Sequence, residues 1–146
     1  MTDRSDPPTR DLLEHVLLPV ANRDDAEASA AALEPYAPER VSALHVVEKG
    51  EGVPDKTPVE QSERIAEASF AAIREAFPGA ETHTDYARDV VEAIIRAAAG
   101  IDASAIAFHS RGGSRLVQFL SGDRTLRLVT DADRPVISLP DPDQEG

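Results

Sequence analysis

The sequence predicts a doubly wound α/β domain, a five-stranded parallel sheet with helices on both faces. Five short apolar, β-branched segments alternate with stretches of helical periodicity. The first, second and fifth of these segments are apolar almost without a break, as strands are when helices cover both faces of a parallel sheet. The length, 146 residues, suits one domain and leaves no room for a second.

The elements follow in order. The first strand is predicted at residues 15–20 (HVLLPV). Asn22-Arg23-Asp24-Asp25 then offers a polar helix start with an N-cap, ahead of a helix over 26–33. The second strand is 41–47 (VSALHVV), and residues 49–57, with two glycines and Pro54, read as a loop. Residues 58–77 place Val59, Ile65, Phe70, Ile73 and Phe77 at helical spacing, with Pro58 suited to a first turn and Pro78-Gly79 to a stop. A weak third strand lies near 81–86. Residues 89–99 carry Val90, Val91, Ile94, Ile95 and Ala98, with Gly100 as the expected cap. The fourth strand is 104–108 (SAIAF). A short helix over 124–130 puts Leu126 and Val129 on one face, and 135–139 (PVISL) closes the sheet. Residues 1–12 are expected to form a disordered arm, 13–140 the domain, and 141–146 a disordered tail.

Charge narrows the partners. With 27 acidic against 15 basic residues the net charge is -12, and Lys49 and Lys56 are the only lysines. Such a surface repels nucleic-acid phosphates and anionic lipid, which disfavours DNA and membrane partners. It serves solubility, and it fits adaptation to high salt, where the Debye length falls to about 3 Å at 1 M and self-repulsion becomes small. There is no cysteine, hence no disulfide and no thiolate metal site. No run approaches the ~20 apolar residues of a membrane span, and the start has no apolar signal core, so a cytoplasmic location is expected.

Ligands of doubly wound sheets bind beyond the carboxyl ends of the strands, where strand order reverses. If the first and fourth strands are neighbours at the reversal, residues 19–22 and 109–113 meet there. The second of these stretches opens the one Gly-rich segment, His109-Ser110-Arg111-Gly112-Gly113-Ser114-Arg115, which runs on to Ser121-Gly122-Asp123-Arg124. Successive glycine and serine amides after a strand form an anion-binding nest, although a Gly-Gly pair is most often only a turn. Arg111, Arg115, Arg124 and Arg127 make either a basic spot for an anion or acidic partner, or surface ion pairs of little worth each. His109 reads as a general base beside Ser110 or as a side chain that fills the crevice. The second is favoured, because no third group is identifiable to orient the imidazole. His45 reads as a hydrogen-bonded structural residue, and nothing is assigned to His15 or His83. No spacing of histidines or acids indicates a metal site.

In this context the segment resembles the universal stress protein family, whose nucleotide loop follows the fourth strand as G-x2-G-x9-G-[S/T]. Gly112 takes the place of the second glycine, and the nine residues 113–121 separate it from Gly122 in the place of the third. The resemblance runs over about residues 13–139 through "HVLLPV", "LHVVE", "SRGG" and "RPVISLP" in order. It implies strand order 3-2-1-4-5 and a dimer through the fifth strand, with Pro135, Val136, Ile137, Ser138 and Leu139 in the contact; an exposed edge strand invites such pairing. It also implies that Pro19, Val46, Ser110, Arg111, Gly112, Gly113 and Gly122 would line a nucleotide site. Four signature positions are substituted. Ala21 stands where nucleotide-binding members carry an aspartate that contacts the nucleoside, His109 replaces the first glycine, Asp123 the closing Ser/Thr, and Arg124 the apolar residue after it. Ala21 has no side-chain acceptor, the His109 side chain obstructs backbone approach, and Asp123 sets a negative charge against phosphate; Arg124 offsets part of that.

The expectation is therefore a non-enzymatic, dimeric stress-response module that acts through protein contacts, with ATP binding weak or lost and no cofactor firmly implied. The alternative is an ATP- or AMP-binding switch with an altered pose. A third reading is a weak phosphatase or ATPase using His109 and Ser110.

Overall fold

A computed structural model describes residues 9–48, 59–109 and 122–140. Its strands are β1 (Val16–Val20), β2 (Val41–Glu48), β3 (Glu81–Ala87), β4 (Ala105–His109) and β5 (Val136–Leu139). All neighbours pair in parallel, in the order β3-β2-β1-β4-β5. This is the expected order, and it reverses between β1 and β4. The helices are α1 (Arg23–Leu33), α2 (Val59–Ala76), α3 (Val90–Gly100) and α4 (Gly122–Asp131), with a 3-10 turn at Glu34–Tyr36.

Alternation along β1 divides the core, since successive side chains of a strand point to opposite faces. Val16, Leu18 and Val20 pack with Ala26, Ala30 and Leu33 of α1 and with Phe70 and Ile73 of α2. Leu17 packs on the other face with Leu44, Val46, Val91 and Ile94, and with Leu128 of α4. Helices α1 and α2 thus cover one face, α3 and α4 the other. The N-cap expected at the start of α1 is present at Asn22, and the structure adds a second at Asp89. Asn22 Oδ1 accepts the Asp25 amide at 2.8 Å, and Asp89 Oδ1 accepts the Glu92 amide at 3.1 Å.

Three local expectations are corrected. Gly100 is the last residue of α3 rather than its cap. The turn is left-handed at Asp102 (φ 55°), with the Asp102 amide donating to the Ala99 carbonyl at 3.1 Å and the Ala103 amide to Ala98 at 2.9 Å. Asp tolerates this region better than most residues, which lets it do glycine's usual work. Ile65 lies 37% exposed, and the core stripe of α2 runs through Ala66, Phe70 and Ile73 instead. Leu126 and Val129 do share a face of α4, but it is the outward one, at 65% and 55% exposure; Leu128 is the buried residue.

Of the expected N-terminal arm, residues 1–8 fall outside the described residues, as does the tail at 141–146. Residues 10–12 are anchored. Arg10 bonds Glu14 and the Asp102 carbonyl, and the Leu12 carbonyl accepts from Ser104 Oγ at 2.7 Å.

Ala37, after the 3-10 turn, also has a left-handed backbone (φ 51°) and is exposed. An alanine there carries a penalty of about 1–2 kcal/mol that glycine avoids, partly offset by glycine's freer unfolded chain. Ala37→Gly is expected to stabilise by about 0.5–1 kcal/mol and to raise Tm by a few degrees; an unchanged or lower Tm by calorimetry would refute this.

Candidate functional site

The carboxyl ends of β1 and β4 meet at the reversal. Pro19 and Val46 are buried beside it, and Ala21 and His109 are half-buried at its mouth. Ser110, Arg111, Gly112 and Gly113 lie outside the described residues. Gly122 opens α4, and Asp123 is exposed in its first turn, where a negative charge is favoured by the helix dipole.

The group that dominates the mouth is Asp25, absent from the candidates read in sequence. It is 8% exposed, and its Oδ2 accepts the Ala21 amide at 2.7 Å. Asn22 and Asp25 thereby form a reciprocal cap. The Asn22 side chain takes the Asp25 amide, and the Asp25 side chain reaches back one residue beyond the N-cap. The Asn-x-x-Asp spacing at the helix start is the signal that marks it. Burial pushes the Asp25 carboxyl up from its ordinary range, while the Ala21 amide and the nearby His109 charge pull it down. Asp25 is thus an acid close enough to feel the His109 charge, one that sequence reading did not identify.

The raised pKa fixes a sign. Between the ordinary and the raised value, the folded protein holds a proton that the unfolded chain has released. Stability therefore falls as pH rises through that window, and ionised Asp25 is a burden above it. Asp25→Asn keeps an oxygen for the Ala21 amide and removes the charge. Its Tm is expected to exceed the parent's at neutral pH, with the gap closing as pH falls below about 4. A gap that does not depend on pH would refute the assignment.

Two arginines of α4 are in ion pairs. Arg124 reaches Glu48, at the carboxyl end of β2, at 2.9 Å. Arg127 meets both oxygens of Asp89, at 3.2 and 3.0 Å, and its guanidinium is the main reason that carboxyl is held below its ordinary range. These pairs tie the helix after the Gly-rich segment to β2 and to the start of α3. For Arg124 and Arg127 the ion-pair reading describes the geometry; Arg111 and Arg115 lie outside the described residues.

His45 and His15 are structural in their contacts, while His83 is exposed. His45 is buried and its Nδ1 lies 3.3 Å from the Val20 carbonyl, so Nδ1–H donates; burial lowers its pKa. His15, to which sequence assigned nothing, is also buried. Its Nε2 is 2.8 Å from Ser42 Oγ, which in turn donates to Glu81 at 3.3 Å. Burial, then the nearby Arg40 charge, lowers the His15 pKa. This chain sits at the amino ends of the strands, opposite the crevice, and Ser42 is fully enclosed. Among the described residues no three His, Asp or Glu groups converge as metal ligands, and no helix is long and apolar enough to cross a membrane.

No curated protein matches the chain. A structure of the universal stress protein from Archaeoglobus fulgidus in complex with dAMP superposes with a TM-score of 0.65 at 19% identity, covering 86% of this chain and 97% of that one. The universal stress protein UspA from Lactobacillus plantarum gives 0.60 at 22%, covering 87% and 97%. A universal stress protein family protein from Arabidopsis thaliana with AMP bound gives 0.53 at 16%, covering 88% and 92%. At such identities these likenesses carry the fold. Membership rests on the sequence model of the Universal stress protein family, which matches residues 13–140: the chain belongs to the universal stress protein family.

Proposed function

We propose that the chain is a non-enzymatic stress-response module of a salt-adapted, haloarchaeal-type cytoplasm, homodimeric through β5, which acts by protein contacts and binds ATP weakly or not at all. The observation that carries this reading is the Asp25–Ala21 bond. At the position where nucleotide-binding relatives carry the aspartate that contacts the nucleoside, Ala21 offers no side-chain acceptor, and its amide is held by a buried carboxylate at 2.7 Å. A ligand there must face the Asp25 charge, with the His109 side chain at the first glycine position. The dimer reading is supported by β5 as a sheet edge, with Val136 and Ile137 half-buried, Leu139 buried and Pro135 and Ser138 exposed. The acidic excess, a net charge of -12, supports salt adaptation.

A nucleotide switch is the second reading. It is favoured by Pro19 and Val46 at the crevice, by Arg124 at the start of α4 beside it, and by the dAMP and AMP bound in two of the similar structures. Calorimetric titration with ATP and AMP in molar salt separates the two. Heats too small to fit up to about 1 mM ligand are expected, and a micromolar Kd would promote the switch. Phosphate release from ATP that disappears in His109→Ala would overturn the non-enzymatic part, and light scattering of the same sample reads the assembly.

A further inference from the structure

We propose that the free edge of β3, with the groove between it and α2, docks an extended basic segment of a partner protein as a sixth strand. β3 ends the sheet on the side away from β5. It runs seven residues without a bulge, in continuous register from Ser42↔Glu81 to Glu48↔Ala87. It carries no proline and no lysine, two of the usual devices that blunt an edge. Among the described residues its second ladder of backbone donors and acceptors therefore has no strand partner, along a strand without a bulge.

Beside that ladder lies a groove of about 470 Å³. Ala66 and Phe70 contribute its apolar part, Thr82, Thr84 and Tyr86 line the strand side, and Glu63 and Glu67 line the helix side. Tyr86 is 42% exposed. The opposite face of β3 is neutralised within the chain, by Arg40 on Glu81 at 3.0 Å and Arg96 on Asp85 at 3.4 Å. On the groove side Arg74 is turned to Thr82 Oγ1 at 3.2 Å, and Glu63 and Glu67 make no ion pair among the described residues. The groove therefore offers two carboxylates that are in no ion pair among the described residues, against one arginine turned to Thr82, next to an aromatic ring and the outer backbone edge of β3.

Charge and spacing select the occupant. Two copies of this chain joined edge to edge at β3 would bring identical acid rows together on molecules that each carry -12, so a second copy is disfavoured. A basic strand is favoured. Glu63 and Glu67, one helical turn apart, are separated by about 6 Å along α2. Side chains two apart on a strand are separated by about 6.7 Å. A partner with basic residues at alternate positions would thus set one on each acid, and arginine would stack on Tyr86. Main-chain bonds would supply affinity, and the acids would supply choice of sequence. This surface gives the protein-contact part of the reading above its partner class and rests on it.

The probe is an end-blocked heptapeptide alternating arginine with valine, against the same peptide with glutamate for arginine. Each is titrated into the full isotope-labelled chain, at the lowest salt that keeps its circular dichroism native. The expected result is binding of the arginine peptide alone, with amide shifts confined to residues 81–87 and the groove side of α2. Glu63→Lys with Glu67→Lys, both exposed, is expected to weaken it about tenfold or more. No binding near 1 mM, equal binding of both peptides, shifts elsewhere, or an unaffected double variant would overturn the proposal. So would shifts at residues 81–87 that grow with protein concentration without peptide, which would assign the edge to a second copy. Nucleotide calorimetry reads the crevice instead, so peptide failure with silent ATP titrations removes this surface and leaves the module reading intact.

Discussion

Leu128→Ala is expected to cost about 2–5 kcal/mol, a large share of the roughly 5–15 kcal/mol that hold a domain of this size. Leu128 is the buried side chain of α4 among the described residues, enclosed by Leu17, Leu44, Ile106 and α3. Around it α4 is held by Arg124–Glu48 and Arg127–Asp89, pairs whose side chains are 29–50% exposed. Exposed pairs contribute about 0–1 kcal/mol each, so the apolar contact decides whether α4 stays docked. Leu126→Ala and Val129→Ala, on the outward face, are expected to shift the unfolding midpoint by no more than about 0.5 kcal/mol in the monomer. Chemical denaturation of the three variants checks the ranking. A Leu128 variant as stable as the parent would show that α4 is held by something other than its core contact.

The contrast between Leu128 and its neighbours also shows what the sequence could and could not disclose. Strand–helix alternation made the fold class legible, because period-2 and period-3.6 patterns are set by backbone geometry and survive any choice of partner. The cap at Asn22 was legible for the same reason: the N-cap bond is local. The inward face of α4 was not. Ten residues that contain Leu126, Leu128 and Val129 admit two apolar faces, and only packing against β1 and β4 chooses between them. Asp102 misled in the same way, since a left-handed turn is usually glycine's and Gly100 stood two residues upstream. Strand order needed the family resemblance, because alternation alone fits more than one winding. Asp25 was hidden by abundance: one acid among 27 draws no notice until burial and the Ala21 bond single it out. The β3 groove was hidden because its two walls, α2 and the sheet edge, meet only in three dimensions.

Recovery of nucleotide binding is expected to require a change at Asp25 as well as at three of the four substituted signature positions, Ala21, His109 and Asp123. His109→Gly removes a side chain from the path of backbone amides, and Asp123→Ser replaces a repelling charge with a donor. Each single change is expected to gain less than about tenfold, since a polar contact contributes on the order of 1 kcal/mol. Ala21→Asp alone is expected to bring no gain, or a loss. It sets a second carboxylate near the Asp25 oxygen that already holds the residue-21 amide at 2.7 Å. Two like charges about 4 Å apart cost ~1 kcal/mol in water and ~4 kcal/mol at an effective dielectric of 20, and the mouth is partly buried. Asp25→Ala removes that repulsion and frees the amide. Combined with the other three changes, it is expected to raise ATP affinity about 100-fold over the parent, from three contacts of about 1 kcal/mol each, with non-additivity because all four residues surround one ligand. Calorimetry on the parent, the triple variant without the Asp25 change, and the fourfold variant decides the matter. A triple variant that gains as much as the fourfold one would clear Asp25 of any obstructing role. A fourfold variant that binds no better than the parent would refute the account of the crevice given by these four positions.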